Sequence, residues 1–244
     1  MLRERGESYH KDMARSYIVS HEHRFVYFIV PKVACSSIKT ALTPLFDLDA
    51  SDEELIREDG REDGIPREVH RFFRAPHHSI PKARLLKGLQ KGRYEGYFKF
   101  AFVRNPWDRL LSCYLQKLTP GGQGLNRYDY GGVELQYGMP FAEFVAAVYQ
   151  IPDEVADRHF RSQHITVCGP DDAILADFVG RFENLEADFA HVVRKIGASD
   201  LDLPHLLPSP SRGARSYRDF YDDETAGRVA ERFRKDAEIF GYSF

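Results

Sequence analysis

Cysteine is scarce in this sequence: its 244 residues include only Cys35, Cys113 and Cys168. An odd number of widely spaced thiols forms neither a disulfide framework nor the paired spacing of a zinc knuckle. We therefore expect a reducing environment and no metal site.

Long hydrophobic runs are lacking as well. The longest apolar run, Phe25 to Val30, is far too short to cross a bilayer. Residues 1–20 carry charge but no apolar stretch of the kind found in secretory signals. These absences predict a soluble protein with a cytoplasmic location.

Neither sign of charge dominates. Lys and Arg number 34 and Asp and Glu number 37, which gives a net charge of -3. This balance argues against nucleic acid as a partner, and any anion site has to be local. With 43% hydrophobic and 13% aromatic residues, the chain can bury a core without disulfides. We predict one domain over 1–244, with residues 1–23 as an N-terminal extension.

The order of predicted elements indicates the fold class. Residues 24–30 and 97–103 are dense in aromatic and β-branched types and predict buried strands. A third strand candidate lies at 177–184, and helical patterns lie at 107–118, 141–150, 185–197 and 222–241. This alternation predicts an α/β fold with a mostly parallel sheet. The Gly-rich segment 119–140 predicts a long mobile loop, a candidate lid over the acceptor.

The first motif, PKVACSS at 31–37, joins a predicted strand to a helix. Its small residues let the backbone curl so that N–H groups point inward, and the helix adds its N-terminal dipole. Lys32 supplies a positive charge, and Ser36 and Ser37 can cap the helix or bind oxygens. The segment indicates a phosphate cradle, although the Walker pattern is absent and a capped turn with a surface lysine fits the same residues.

The second motif, FVRNPWDRLLSCY at 102–114, follows the second predicted strand. It places Arg104 at the strand end and Ser112 two turns into the next helix, with Arg109 nearby. An arginine fork and a hydroxyl together bind a phosphate dianion well. Because ligands bind at the carboxyl ends of parallel strands, we expect both motifs at one site. The alternative is an arginine that caps the sheet and a serine that faces solvent.

Together the two motifs resemble those of sulfotransferases that use 3′-phosphoadenylyl sulfate. PKVACS and KFAFVRNPWDRLLSCY are most similar to the carbohydrate sulfotransferases, the group of the chondroitin and dermatan enzymes and many bacterial relatives. HFRSQ at 159–163 and GRFENLEADF at 180–189 extend the resemblance, which spans about Phe25 to Phe244. It implies a P-loop-like, three-layer fold and metal-free transfer of a sulfuryl group to a hydroxyl or amine. A carbohydrate or small-metabolite acceptor is expected; its identity and the oligomeric state stay open.

The resemblance also assigns roles to residues that bind the donor. Lys32 would contact the oxygen that leaves the sulfur, the turn after it would hold the 5′-phosphosulfate, and Arg104 with Ser112 would hold the 3′-phosphate. An arginine before Tyr217 would close over that phosphate. The donor-binding residues predicted in this way are Lys32, Val33, Ala34, Cys35, Ser36, Ser37, Arg104, Ser112, Arg212 and Arg215.

A base has to accept the acceptor proton, and histidine is the usual choice. The resemblance favours His78, in RAPHHSIPKARLL, as the catalytic base. His159 is the second candidate, and His77 and Glu183 are weaker ones. Each histidine can equally be a structural or surface imidazole.

Two other functions fit parts of the sequence. A P-loop nucleotide kinase or hydrolase would need Walker glycines and a Mg²⁺-binding carboxylate after a strand, and the sequence shows neither clearly. A non-catalytic nucleotide-binding module on the same fold would not need Lys32 or the candidate bases.

Overall fold

The structure is a computed structural model that describes residues 16–46, 69, 72–73, 77–125, 128–204 and 215–244. These residues form two compact units. Of the described residues, those within 1–30, 34–102 and 166–206 form the sheet unit, and those within 31–33, 103–165 and 207–244 form the helical unit.

The sheet unit is built on a five-stranded sheet in the order β3-β1-β2-β4-β5. The strands are β1 Tyr17–Ser20, β2 Phe25–Phe28, β3 Ser79–Ile80, β4 Phe98–Val103 and β5 Phe178–Arg181. β2 and β4 are parallel, with Tyr27 opposite Phe100. β1 pairs antiparallel with both β2 and β3. The predicted α/β class is confirmed, and its parallel core strands lie in a mixed sheet.

The predicted strands at 24–30 and 97–103 are confirmed as β2 and β4. Every residue of β2 is buried, and the Tyr27 ring stacks on Phe100 with centroids 5.1 Å apart. In a strand that is buried on both faces, polar and apolar residues do not alternate, which explains the unbroken apolar run in the sequence. The first motif begins three residues after β2, and Arg104 of the second motif directly follows β4.

Strand β1 is absent from the sequence prediction. Its four residues, Tyr17–Ser20, are all buried, so this part of the predicted extension belongs to the sheet. The tyrosine hydroxyl donates to the carbonyl of Thr166 at 2.8 Å. Because the apolar stretch is only three residues long and polar sequence precedes it, its pattern is too short to indicate a strand by itself.

Among the described residues, the helices are α1 Cys35–Leu42, α2 Lys82–Gln90, α3 Pro106–Lys117, α4 Phe141–Gln150, α5 His164–Val167, α6 Leu185–Lys195, α7 Asp223–Arg232 and α8 Arg234–Phe240. Helix α3 begins where the sequence predicts, with Pro106 in its first turn. The Asn105 side chain accepts from the backbone N–H of Trp107 at 3.1 Å and so caps the helix. The apolar faces of α3, α4 and α7 form one core that includes Leu110, Phe144 and Val229.

The predicted terminal helix at 222–241 is wrong in one respect: it is two helices. Phe233 leaves helical geometry, with φ −112° and ψ 26°, between α7 and α8. After the break, α8 buries the charged residue Asp236 in addition to its apolar side chains. Its carboxylate accepts from the backbone N–H groups of Gln163 and His164 at 2.7 and 2.9 Å. These buried polar contacts are the physical reason for the departure from one continuous amphipathic helix.

The described part of the Gly-rich segment 119–140 is anchored to the helical unit. Leu125, Tyr130 and Leu135 are buried in the unit's core. The backbone N–H of Tyr130 donates to Val133 at 3.0 Å, and that of Leu135 donates to Tyr128 at 2.7 Å. A role as an acceptor lid stays a prediction.

Candidate active site

The turn after β2 has unusual backbone geometry. Lys32 and Ala34 both have left-handed φ values, 69° and 49°. Residues with a Cβ seldom adopt this conformation, which costs roughly 1–2 kcal/mol for each. Alternation between left- and right-handed residues turns successive N–H groups to one side and forms an anion-binding concavity. The turn therefore has the backbone shape that the sequence analysis expects of a phosphate cradle.

Helix α1 begins directly after this turn. Its N-cap residue, Ala34, makes no side-chain capping bond, and the first turn contains no acidic residue. Cys35 and Ser36 are half-buried, and Ser37 is buried. An uncapped helix start keeps its partial positive charge for an anion.

The two motifs meet at Lys32. The Arg104 Nη1 atom donates to the Lys32 carbonyl at 3.1 Å, and its Nε donates to Asp108 Oδ2 at 2.9 Å. The Lys32 ammonium in turn donates to Gln116 Oε1 at 2.5 Å. Lys32 is thus tied through its backbone to the start of the second motif and through its side chain to α3.

Asp108, Ser112 and Gln116 are spaced four residues apart on α3, so they share one face of the helix. The hydrogen bonds above place Lys32 along that face, because its carbonyl lies at the Arg104 end and its ammonium at Gln116. Ser112 is half-buried and lies between them on the same face. The structure therefore brings Lys32, Arg104 and Ser112 to one side of α3.

Arg109 makes different contacts from Arg104. It is buried, and its three donor nitrogens bind the backbone carbonyls of Pro31, Arg161 and Arg158 at 3.0, 2.8 and 3.3 Å. Burial lowers the pKa of its guanidinium, an effect that Asp236 opposes. Because each nitrogen is engaged by the backbone, Arg109 joins the Lys32 turn to the segment around His159 instead of offering a free fork.

His159 forms a short hydrogen bond with Asp157. Its Nδ1 lies 2.6 Å from Asp157 Oδ1, and the same oxygen accepts the His159 backbone N–H at 2.8 Å. Burial lowers the pKa of His159 to about 4, although Asp157 acts in the opposite direction. Despite its own burial, Asp157 has its pKa lowered to about 2 by hydrogen bonds from His159. The imidazole is therefore neutral and the carboxylate ionised at neutral pH.

His78 lies in the sheet unit among aromatic rings. Its ring centroid is 4.1 Å from that of Phe72 and 5.2 Å from that of Phe46, and the residue is 7% exposed. His77 is exposed next to it, with ring centroids 4.0 Å apart. Such packing is typical of a histidine that contributes to a core.

The remaining candidates lie elsewhere. Arg212 is outside the described residues. Arg215 is exposed, with its guanidinium 4.3 Å above the Phe220 ring, and Glu183 is exposed in a short 3₁₀ helix. Within the described ranges, no group of three or more His, Cys, Asp or Glu residues is arranged to hold a metal ion.

Sequence inspection missed four residues of this site: Gln116, Asp157, Gln163 and Asp236. Gln116 carries a usable signal, because it lies four residues after Ser112 on a predicted helix. Asp157 lies two residues before the HFRSQ segment, and Gln163 is the last residue of that segment. No sequence pattern indicates which groups the two side chains contact. Asp236 is contributed by a distant helix, and its partners become visible only in three dimensions.

Curated relatives of the chain are carbohydrate sulfotransferases. Carbohydrate sulfotransferase 14 of Danio rerio is 30% identical over 200 residues, or 77% of this chain and 50% of the relative. The Homo sapiens protein of that name is 31% identical over 206 residues, or 80% and 49%. Carbohydrate sulfotransferase 10 of Xenopus laevis is 24% identical over 250 residues, or 92% and 66%. The chain thus spans about half the length of the first two, and no solved structure matches it.

The predicted cytoplasmic location is wrong. It rested on the lack of a hydrophobic segment, whereas the matched carbohydrate sulfotransferases are membrane-anchored Golgi proteins. Among the residues that the structure describes, no helix is both long and apolar enough to span a bilayer.

A model of the sulfotransferase family matches residues 15–243, nearly the whole chain. The matched range includes the Lys32 turn, the Arg104 motif and the His159 segment. The resemblance drawn from the two motifs is confirmed. This chain belongs to the sulfotransferase family.

Proposed function

We propose that this chain transfers a sulfuryl group from 3′-phosphoadenylyl sulfate to a hydroxyl group of a carbohydrate. An acceptor oxygen forms a bond to sulfur, and the bond between sulfur and the bridging phosphate oxygen breaks. The electron pair stays on that oxygen, and the acceptor proton passes to a base. The observation that carries the proposal is the hydrogen bond between Arg104 and the Lys32 carbonyl, which joins the two family motifs.

The donor would be held by both motifs. The 5′-phosphosulfate would be bound by the N–H groups of the Lys32 turn and of the start of α1, together with Ser36 and Ser37. These groups are directed hydrogen-bond donors, and they carry no net charge that would have to be desolvated. Arg104 and Ser112 would bind the 3′-phosphate. Arg215 would lie at the outer side of that phosphate, and the same role is proposed for Arg212.

Lys32 would act on the leaving oxygen. Negative charge grows there as the bond to sulfur breaks, and a cation aimed at developing charge accelerates the reaction. The hydrogen bond to Gln116 fixes the ammonium on α3 before the donor arrives. A side chain that is already ordered loses less entropy at the moment of reaction.

For the base we favour His159 over His78. His159 is neutral at physiological pH and lies in the same unit as Lys32, Arg104 and Ser112. Arg109 on α3 donates to the carbonyls of Arg158 and Arg161, so the segment that contains His159 lies against that helix. His78 has instead the aromatic surroundings of a core residue.

A carbohydrate is the proposed acceptor because the relatives are named carbohydrate sulfotransferases. The test measures transfer of radiolabelled sulfate from the donor to a panel of oligosaccharides, phenols and peptides, without added metal and with a chelator. Labelled oligosaccharide is the expected product. Label on phenols or peptides alone would overturn the acceptor class, and no label on any acceptor would overturn the activity.

Donor binding is tested separately with 3′,5′-adenosine bisphosphate, the product that remains after transfer. A ligand that binds the folded chain raises its melting temperature, by an amount that grows with concentration above Kd. We expect such a rise without metal. An unchanged melting temperature at high bisphosphate concentration would contradict the proposed donor site.

A further inference from the structure

We propose that Asp157 is a positioning residue that holds His159 with Nδ1 protonated and Nε2 free of a proton, so that Nε2 faces the acceptor hydroxyl as the base. This inference rests on the proposed function. It adds a second member to the catalytic group, which neither motif contains.

The tautomer follows from the contacts of the two side chains. Asp157 Oδ1 is 2.6 Å from His159 Nδ1, and an ionised carboxylate can only accept hydrogen bonds. Nδ1 must therefore carry the proton. Since burial keeps the imidazole neutral, the second ring nitrogen has a lone pair with which to accept one.

The pair is held in place by its own backbone. Asp157 is 8% exposed, and its carbonyl accepts from the N–H groups of Phe160 and Arg161 at 3.0 and 2.8 Å. The carboxylate also binds the His159 N–H, so that it stays in one orientation. The His159 side chain is 19% exposed, which leaves part of the ring accessible.

The pair is also tied to the Lys32 turn. Arg109 donates to the carbonyls of Arg158 and Arg161 on one side and to that of Pro31 on the other. Arg109 thus connects the backbone on both sides of His159 to the residue before Lys32.

The charged groups that act on His159 are Asp157, Arg158 and Lys117. Both cations favour the neutral imidazole, and Asp157 favours the protonated one. A base needs both states, because it starts neutral and becomes charged as it accepts the proton. Asp157 would stabilise the imidazolium that forms during transfer, as the buried aspartate does in a Ser-His-Asp triad.

The test compares Asp157→Asn with Asp177→Asn, which alters an ion pair between exposed Asp177 and half-buried Lys99 in the sheet unit. An amide can donate to Nδ1 and favours the opposite tautomer. For Asp157→Asn we expect kcat to fall about 10²–10⁴-fold, with the Kd for 3′,5′-adenosine bisphosphate changed less than about twofold. Asp177→Asn should retain kcat within about twofold, since Asp177 is exposed and its carboxylate contacts Lys99 rather than a residue of the proposed site.

The ring nitrogens of His159 give a measurement that does not depend on activity. In ¹⁵N NMR spectra of the wild-type chain, assigned with His159→Gln, we expect Nδ1 protonated and Nε2 unprotonated at pH 7. The opposite tautomer would overturn the inference even if the enzyme is active. Full kcat in folded Asp157→Asn would overturn it too. If no acceptor is sulfated, the proposed function fails while the tautomer measurement still supports or refutes the pairing.

Discussion

The side chain of Gln163 pairs with both backbone hydrogen-bonding groups of Arg104. Its Nε2 donates to the Arg104 carbonyl at 2.8 Å, and its Oε1 accepts from the Arg104 N–H at 3.0 Å. Gln163 is fully buried, and its own N–H is bound by Asp236. The amide thus satisfies both backbone groups of Arg104, the residue that directly follows β4.

We predict that Gln163→Ala lowers the free energy of unfolding by about 2–4 kcal/mol, because it leaves a buried N–H and a buried carbonyl unpaired. Urea denaturation measures the change. Gln150→Ala is the matched control, since its exposed amide binds only the carbonyl of Ala146 and its loss should cost less than about 0.5 kcal/mol. Equal losses of unfolding free energy in the two variants would show that the hydrogen bonds between Gln163 and Arg104 contribute no more to stability than the exposed hydrogen bond of Gln150.

Arg104→Ala should weaken binding of 3′,5′-adenosine bisphosphate by about 2–4 kcal/mol, as expected when one partner of a buried charge pair is removed. Titration calorimetry measures the loss. Binding of adenosine 5′-monophosphate, which lacks the 3′-phosphate, should change much less. Arg228→Ala, which removes an exposed ion pair with Glu224, serves as the control.

Comparing how much Arg104→Ala weakens the binding of each of the two ligands distinguishes a structural role of Arg104 from direct contact with the 3′-phosphate. If Arg104→Ala weakened both equally, the effect would come through the Lys32 carbonyl and not through the 3′-phosphate. Arg104→Lys keeps the charge but not the fork, so we expect it to bind bisphosphate less tightly than the wild type and more tightly than Arg104→Ala.

Lys32→Ala should lower kcat about 10²–10³-fold with a smaller effect on the donor Kd, because the ammonium is proposed to act on charge that develops in the transition state. Single-turnover kinetics with the labelled donor separate the two quantities. Lys91→Ala, on an exposed turn of the sheet unit, should have normal kinetics. Normal turnover of Lys32→Ala would remove Lys32 from the mechanism.

Stability should depend on pH through His159. Its pKa is about 4 in the folded chain against an ordinary value near 6.5. Between these values the unfolded chain binds a proton that the folded chain does not, so the free energy of unfolding decreases as pH falls from about 6.5 to about 4. The slope contributed by one such group is at most about 1.4 kcal/mol per pH unit.

Urea denaturation at a series of pH values measures this slope, and His159→Gln should flatten it. Above pH 6.5 the contribution is fully present and constant. A slope that His159→Gln leaves unchanged would assign the pH dependence to other groups.

Two glycines should respond to alanine in opposite ways. A Cβ at Gly122 would lie 2.8 Å from the Thr119 carbonyl and 2.9 Å from that of Gln116, so Gly122→Ala should cost about 1–3 kcal/mol. Gly227 on α7 has open space around a Cβ, so Gly227→Ala should add about 0.5–1 kcal/mol through helix propensity. Thermal denaturation distinguishes the two, and a loss at Gly227 would contradict the helix argument.

Much of the fold could be predicted because the decisive patterns are local. The β2 run of apolar residues and the Pro106 helix start indicate two strand–turn–helix units and hence the class. Strand β1 and the break at Phe233 escaped prediction, since each depends on partners that are remote in sequence. The burial of Asp236, for example, follows from N–H groups that another segment presents to it.

The residues of the candidate site also divide into those that the sequence predicts and those that depend on contacts between remote segments. Lys32, Arg104 and Ser112 lie in motifs with recognisable composition, and the structure places them on one side of α3. The resemblance to the family favours His78, whereas the proposal of His159 depends on the rings around one and the carboxylate beside the other, which the sequence does not show. Composition alone gives both histidines the same chemistry.

The arrangement of the sheet also implies an order of folding. β1 and β2 are joined by a short turn, with Ser20 opposite Phe25, and can pair as a nascent hairpin within microseconds. β4 reaches β2 only after a long intervening segment has been closed, and non-local parallel pairing of this kind is slow. Lys32 lies four residues after β2, and Arg104 directly follows β4. We therefore expect the bond between them to be among the last contacts to form, so that the chain acquires its anion-binding turn only as folding is completed.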